Sequence, residues 1–141
     1  MTHTPDTPDT PDTPGTPGTP IDRPIDDATM QRMLSSRTPL TGFLLRRGPS
    51  YDDPATAPLQ WEHARNMFRL LEAGTVVHVS ALLDGDDVLG FGLATLTAED
   101  TSAELARDPG VAGGRLTFDL ATTMSFDGPR DAPLLRATPD A

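Results

Sequence analysis

The sequence predicts an α+β domain of four antiparallel strands with two helices on one face, in the order strand, helix, strand, strand, helix, strand of ferredoxin-like folds. Three observations predict it. From Leu59 to Leu83 a helical period passes through a single glycine, Gly74, into a run rich in β-branched residues. Asp84-Gly85-Asp86-Asp87 then has the turn chemistry that joins this run to a second strand as a hairpin. Finally, Leu116, Phe118, Leu120, Thr122, Met124 and Phe126 alternate with Arg115, Thr117, Asp119, Ala121, Thr123 and Ser125. That alternation is the period of a strand with one buried face and one wetter face.

Taken in order, the chain opens on a tail, residues 1–27, in which Thr4 to Pro20 repeats Thr-Pro-Asp and then Thr-Pro-Gly. A segment with so little apolar area cannot offset its ordering entropy, so the tail is expected to be disordered and rich in polyproline II. It serves either as a solubilising tail or as a docking peptide for a proline-recognising partner. Residues 28–40 form a short helical or extended lead-in, with Asp26 or Asp27 as a cap and Met30, Met33 and Leu34 on one side. Residues 41–127 are the domain itself. Thr41 to Arg47 reads as the first strand and the proline-rich stretch from Gly48 to Pro58 as a loop.

In the first long helix Ala64, Met67, Phe68 and Leu71 fall at i, i+3, i+4 and i+7, with Glu62, Arg65, Arg69 and Glu72 opposite. Thr75 to Leu82 and Val88 to Leu96 are the hairpin strands. On the second of these Leu89, Phe91 and Leu93 share one face, while Gly90, Gly92 and Ala94 leave space on the other for a close helix or a ligand. Thr97 with Asp100 has the form of a capping box, and the helix it opens stops before Asp108-Pro109, because the residue before proline avoids helical ψ. The last strand follows Gly113-Gly114, and residues 128–141 form a second tail.

Composition removes whole classes of chemistry. The chain of 141 residues carries a formal charge of −10, of which residues 1–27, with six Asp and one Arg, hold half. No basic surface suited to phosphate neutralisation is present, so nucleic acid is not an expected partner. Cysteine is absent, which excludes disulfides, thiolate nucleophiles and cysteine-held metals. Lysine is absent too, which excludes Schiff bases and the lysine of a phosphate-binding loop. No apolar run approaches the roughly 20 residues of a membrane span. A cytoplasmic protein with no membrane partner is expected.

Histidine supplies the first candidates for chemistry. His63 borders the apolar stripe early in the first long helix, either as a proton acceptor facing a pocket or as a residue edging the core. His78 and Ser80 share a strand face with Val76 and Leu82, either orienting a ligand in an apolar cavity or hydrogen-bonded at an interface. Trp61 either walls the pocket or staples the helix start. His63, His78 and the carboxylates offer no recognised metal-ligand spacing, so neither a metal nor another cofactor is expected.

Glu62-His63-Ala64-Arg65, Leu70-Leu71-Glu72-Ala73-Gly74, a valine-rich strand, Asp84-Gly85, a glycine-containing strand and Arg107-Asp108-Pro109-Gly110-Val111-Ala112-Gly113-Gly114 together resemble the YCII-related proteins over residues 41–127. The resemblance implies a homodimeric α/β barrel in which two sheets close face to face. It also implies a His–Asp pair at a pocket, falling on His63 and Asp108. Two departures bear on the substrate: Ser80-Ala81 stands where the family has Gly-Pro, and no arginine lies between Ala57 and Glu62. Two functions from different classes follow. One is a cofactor-independent enzyme moving a proton on a small cyclic or aromatic acid or ketone, as an isomerase, lyase or dehydrohalogenase does, with His63 as base and Asp108 orienting it. The other is a non-catalytic dimer that binds a small molecule or a protein.

Overall fold

The computed structural model describes residues 23–126 and Gly128. Expectations for the Thr-Pro repeat and for residues 129–141 lie outside the described residues. The chain divides into two units, Met1–Ser36 and Arg37–Ala141. In the first, helix α1 runs from Asp27 to Ser35, and the Asp26 carboxylate caps it by accepting the Thr29 N–H at 2.8 Å. None of its residues is buried.

The second unit contains a four-stranded antiparallel sheet and several helices. Strand β1 spans Thr38–Arg47, beginning before the expected Thr41, and a 3₁₀ turn at Pro54–Thr56 interrupts the loop that follows. Helix α2 is Leu59–Ala73, β2 is Val76–Ala81 and β3 is Val88–Ala94. Helix α3 is Ala98–Ala106, a single turn α4 is Pro109–Ala112, and β4 is Leu116–Ser125. The strand order is β2-β3-β1-β4, with every neighbouring pair antiparallel. This order is compatible with the split arrangement expected from the sequence. Gly74 ends α2 at φ 78°, a left-handed conformation that glycine adopts without a Cβ penalty, and its N–H bonds back to Leu70 and Leu71 carbonyls. Thr97 caps α3 by accepting the Asp100 N–H at 3.1 Å.

Rows of side chains across the sheet explain the core. Val79, Gly92, Phe43 and Leu120 are cross-strand partners in one row, and Ala81, Gly90, Leu45 and Phe118 in the next. Phe43, Leu45, Val76 and Ala94 from the sheet join Met67 and Leu70 of α2 and Leu105 of α3 in one buried cluster. Burying a side chain of this size is worth about 1.5–3 kcal/mol. The space beside Gly92 is taken up from within the sheet, where a Cβ would lie 2.3 Å from the Phe43 ring, whereas Gly90 lines a cleft. On the other side of the sheet, Ser80, Phe91, Leu44 and Asp119 make one row and His78, Leu93, Gly42 and Ala121 another. Leu44 and Phe91 are both exposed there.

Three expectations about faces need correction. In α2 the buried stripe is His63, Met67 and Leu70, with Leu71 half-buried, whereas Phe68 is 63% exposed. The sheet contacts a narrower arc than the apolar residues span, so the helix is turned towards His63. In β2, Val76 does not share a face with His78 and Ser80. A register irregularity between Val76 and His78 lets Val76 and Val79 both enter the core, while His78 and Ser80 point to the opposite face. In β4 the buried face ends early: Met124 and Phe126 are exposed, because the strand runs on past the helices. Among the described residues, no helix is long and apolar enough to cross a membrane.

Candidate functional site

Asp108 is the most enclosed polar residue of the domain, at 0% exposure. It stands between α3 and α4, and Pro109 after it forces the extended backbone of a helix cap. Its Oδ2 accepts the Gly110 N–H at 2.9 Å and the Val111 N–H at 3.3 Å, which satisfies two donors at the start of α4. The same oxygen accepts from His63 Nδ1 at 2.9 Å, and Oδ1 accepts from Asn66 Nδ2 at 2.8 Å. His63 and Asn66 are one turn apart on α2, so a single helix face delivers both donors. Gly110 allows the approach: a Cβ there would sit 3.1 Å from Asp108 Oδ2, 3.2 Å from the His63 Cβ and 2.9 Å from Leu116.

The electrostatics follow from this shell. Burial pushes the Asp108 carboxyl up, but the hydrogen bond and charge of His63, with Asn66 and the Val111 amide, outweigh it and hold the group below the ordinary carboxylate range. An ionised Asp108 has no proton to give, so Nδ1 of His63 is the protonated nitrogen and donates. On the neutral ring Nε2 is then an acceptor. Nε2 has no hydrogen-bond partner among the described residues, and it is not one of the sealed, unsatisfied atoms of the core.

His63 forms part of the wall of a cleft of about 330 Å³ between α2 and the β2 side of the sheet. Leu45, Ala64, Met67, Phe68, Val79, Leu82, Leu89 and Leu116 make most of its lining, with Tyr51, Gln60, His63 and Ser80 as the polar residues that border it. A largely apolar wall with a few convergent polar groups is the usual form of a small-molecule site. The histidine–carboxylate pair can therefore hold a base in one tautomer and aim its lone pair at a bound molecule.

The other sequence candidates lie elsewhere. Trp61 is 70% exposed and does not line the His63 cleft; it borders a separate shallow hollow with Ala64, Arg65 and Phe68, of which Ala64 and Phe68 also line the cleft. His78 is on the sheet face opposite the helices, where its ring stacks on Phe91 at 6.0 Å and Nε2 bonds the Ser80 hydroxyl at 2.7 Å. Ser80 borders the cleft, but that hydroxyl is committed to His78. The structure thus brings His63 and Asp108 together and separates them from His78 and Trp61. Sequence reasoning missed Asn66, Tyr51, Gln60 and Arg115. Asn66 could have been found from its position three residues after His63; the others come together only through the fold. Among the described residues, no cluster of three His, Asp or Glu side chains could hold a metal ion. Compared with protein-family models and with curated proteins, the chain gives no match to either.

Proposed function

We propose that this protein is a cofactor-independent enzyme that moves a proton on a small cyclic or aromatic acid or ketone, in the manner of an isomerase, lyase or dehydrohalogenase. The observation that carries the reading is the 2.9 Å bond between His63 Nδ1 and a fully buried Asp108, made at the wall of an apolar cleft. In the proposed reaction Nε2 of His63 takes a proton from an acidic C–H, and the electron pair left on carbon moves into the adjacent carbonyl or expels a leaving group. Asp108 stabilises the imidazolium that forms and keeps its ring in place. The imidazolium then returns its proton to another carbon or to solvent.

The ferredoxin-like chain fold, the YCII-like ancestry and a cytoplasmic homodimer with two sheets face to face belong to the same proposal. The chain fold is supported by the β2-β3-β1-β4 order, and the homodimer by the apolar side chains of Leu44, Phe91 and Leu93 on the sheet face opposite the helices. A second reading, a non-catalytic dimer that binds a small molecule or a protein, is favoured by Ser80, whose hydroxyl turns to His78 and leaves few polar groups beside His63. Hydrogen–deuterium exchange at the acidic C–H of candidate acids and ketones, followed by NMR, separates the two. Catalysed exchange should fall by about 10²–10⁴-fold in His63→Gln. Exchange that is absent, or equal in both proteins, supports the binding module instead.

A further inference from the structure

Arg115 differs from four other arginines of the domain. Arg46, Arg65, Arg69 and Arg107 each meet a carboxylate. The half-buried Arg115 has no such partner among the described residues. Its Nε donates to Gln60 Oε1 at 3.1 Å, and its Nη1 donates to the Tyr51 carbonyl at 3.2 Å and to Thr56 Oγ1 at 3.3 Å. Its guanidinium lies 4.4 Å over the Tyr51 ring, and that of Arg47 lies 4.8 Å from the same ring. All these partners are neutral, so the positive charge is held in place without being neutralised. The backbone fixes it further: Gly48 N–H bonds the Arg115 carbonyl at 2.8 Å, and the Arg115 N–H bonds Gly110 at 2.9 Å.

Tyr51 and Gln60, which hold this charge, also border the His63 cleft. Because the Gln60 oxygen is engaged by Arg115, the part of its amide left for a ligand is the NH₂, which only donates. Gln60 precedes His63 by one turn of α2, and Met67 and Phe68 follow by one turn. The cleft therefore runs from a donor end, past the base, to an apolar end, and no carboxylate lines it. We propose that it takes its ligand as an organic carboxylate, with the anion at the Tyr51–Gln60–Arg115 end and the apolar body against Met67, Phe68 and Leu82. This rests on the reading of the cleft as the substrate site and narrows its ligand from acid or ketone to acid. An anion there meets the Gln60 NH₂ directly and feels the unneutralised charge of Arg115, which stands behind Gln60 and does not itself line the cleft; an anion is favoured by that charge where a neutral oxygen is not.

The test is a titration of the full chain with benzoate and phenylacetate, and with benzamide and phenylacetamide as neutral isosteres, followed by NMR shifts of cleft residues. The carboxylates should bind about tenfold more tightly than their amides, and less so at high salt. Gln60→Glu retains an acceptor for Arg115 but sets a negative charge beside the ligand, so it should abolish the preference while the protein stays folded. Arg115→Lys should keep part of it. Equal affinity of acid and amide, failure of the carboxylates to bind, or an unchanged preference in Gln60→Glu would overturn the proposal. His63→Gln should retain the preference while losing proton exchange. A preference for acids without exchange that depends on His63 leaves the acid site standing and removes the enzyme reading. Exchange on ketones without any preference for acids does the reverse.

Discussion

Asp108 does two things at once. It caps the turn that opens α4, and it bonds His63, because one carboxylate accepts four hydrogen bonds, one on Oδ1 and three on Oδ2. Asp108→Asn keeps the volume but loses the charge and one acceptor, so its NH₂ meets the donor of Asn66. Stability should drop by about 1–3 kcal/mol at neutral pH, measured by urea unfolding. The pH dependence has a definite sign. A carboxyl whose folded pKa is depressed binds fewer protons than its unfolded counterpart, so its contribution is fully present above the unfolded value, roughly pH 3.9, and is lost as pH falls through the folded value. The gap between wild type and Asp108→Asn should therefore narrow as pH falls below about 4. A gap that is constant with pH would mean that the carboxylate charge does not contribute to folding.

At the scale of the element, α2 shows how a correct helix can be assigned the wrong face. Its apolar residues span a wide arc, and the period alone centres that arc near Ala64 and Phe68. The sheet instead buries His63, Met67 and Leu70, leaving Phe68 on the edge of the cleft. Met67→Ala should destabilise the domain by about 2–5 kcal/mol in thermal or chemical unfolding. Phe68→Ala should change stability much less, by roughly 1 kcal/mol or below, since most of its side chain already meets solvent. Similar losses at both positions would argue that Phe68 is covered, as by a second subunit. Strand β2 makes a parallel case. Alternation places Val76 with His78, yet one irregularity in pairing moves them to opposite faces, and no local residue type announces it.

At the scale of the molecule, the second unit has a sheet with helices over one face, and its opposite face carries Leu44, Phe91 and Leu93, which no helix of that unit covers among the described residues. The proposed homodimer covers this second face. Sedimentation at micromolar concentration should then give a mass near 30 kDa, twice the 15.0 kDa chain. A double substitution of Leu44→Asp and Phe91→Asp should shift it to the monomer without unfolding the core, because both side chains point away from Phe43 and Leu45. A wild type that sediments as a monomer would remove the barrel and the dimeric binding module together.

The order of elements, the hairpin turn, the Gly74 stop and the Thr97 cap could all be read from the chain, since each depends on local spacing and backbone chemistry. So could His63 as a candidate, from its place beside the apolar stripe of the helix, and Asp108 as its partner, through a resemblance of motifs. Which helix face is buried, where a strand slips by one residue, and that Trp61 and His78 stand apart from the cleft were decided only by tertiary structure. The same is true of Arg115: it is 55 residues from Gln60 in the chain and 3.1 Å from it in the fold. Local chemistry acts over a few residues, whereas a site is an intersection of several elements. Its members are selected by which faces the core leaves pointing the same way.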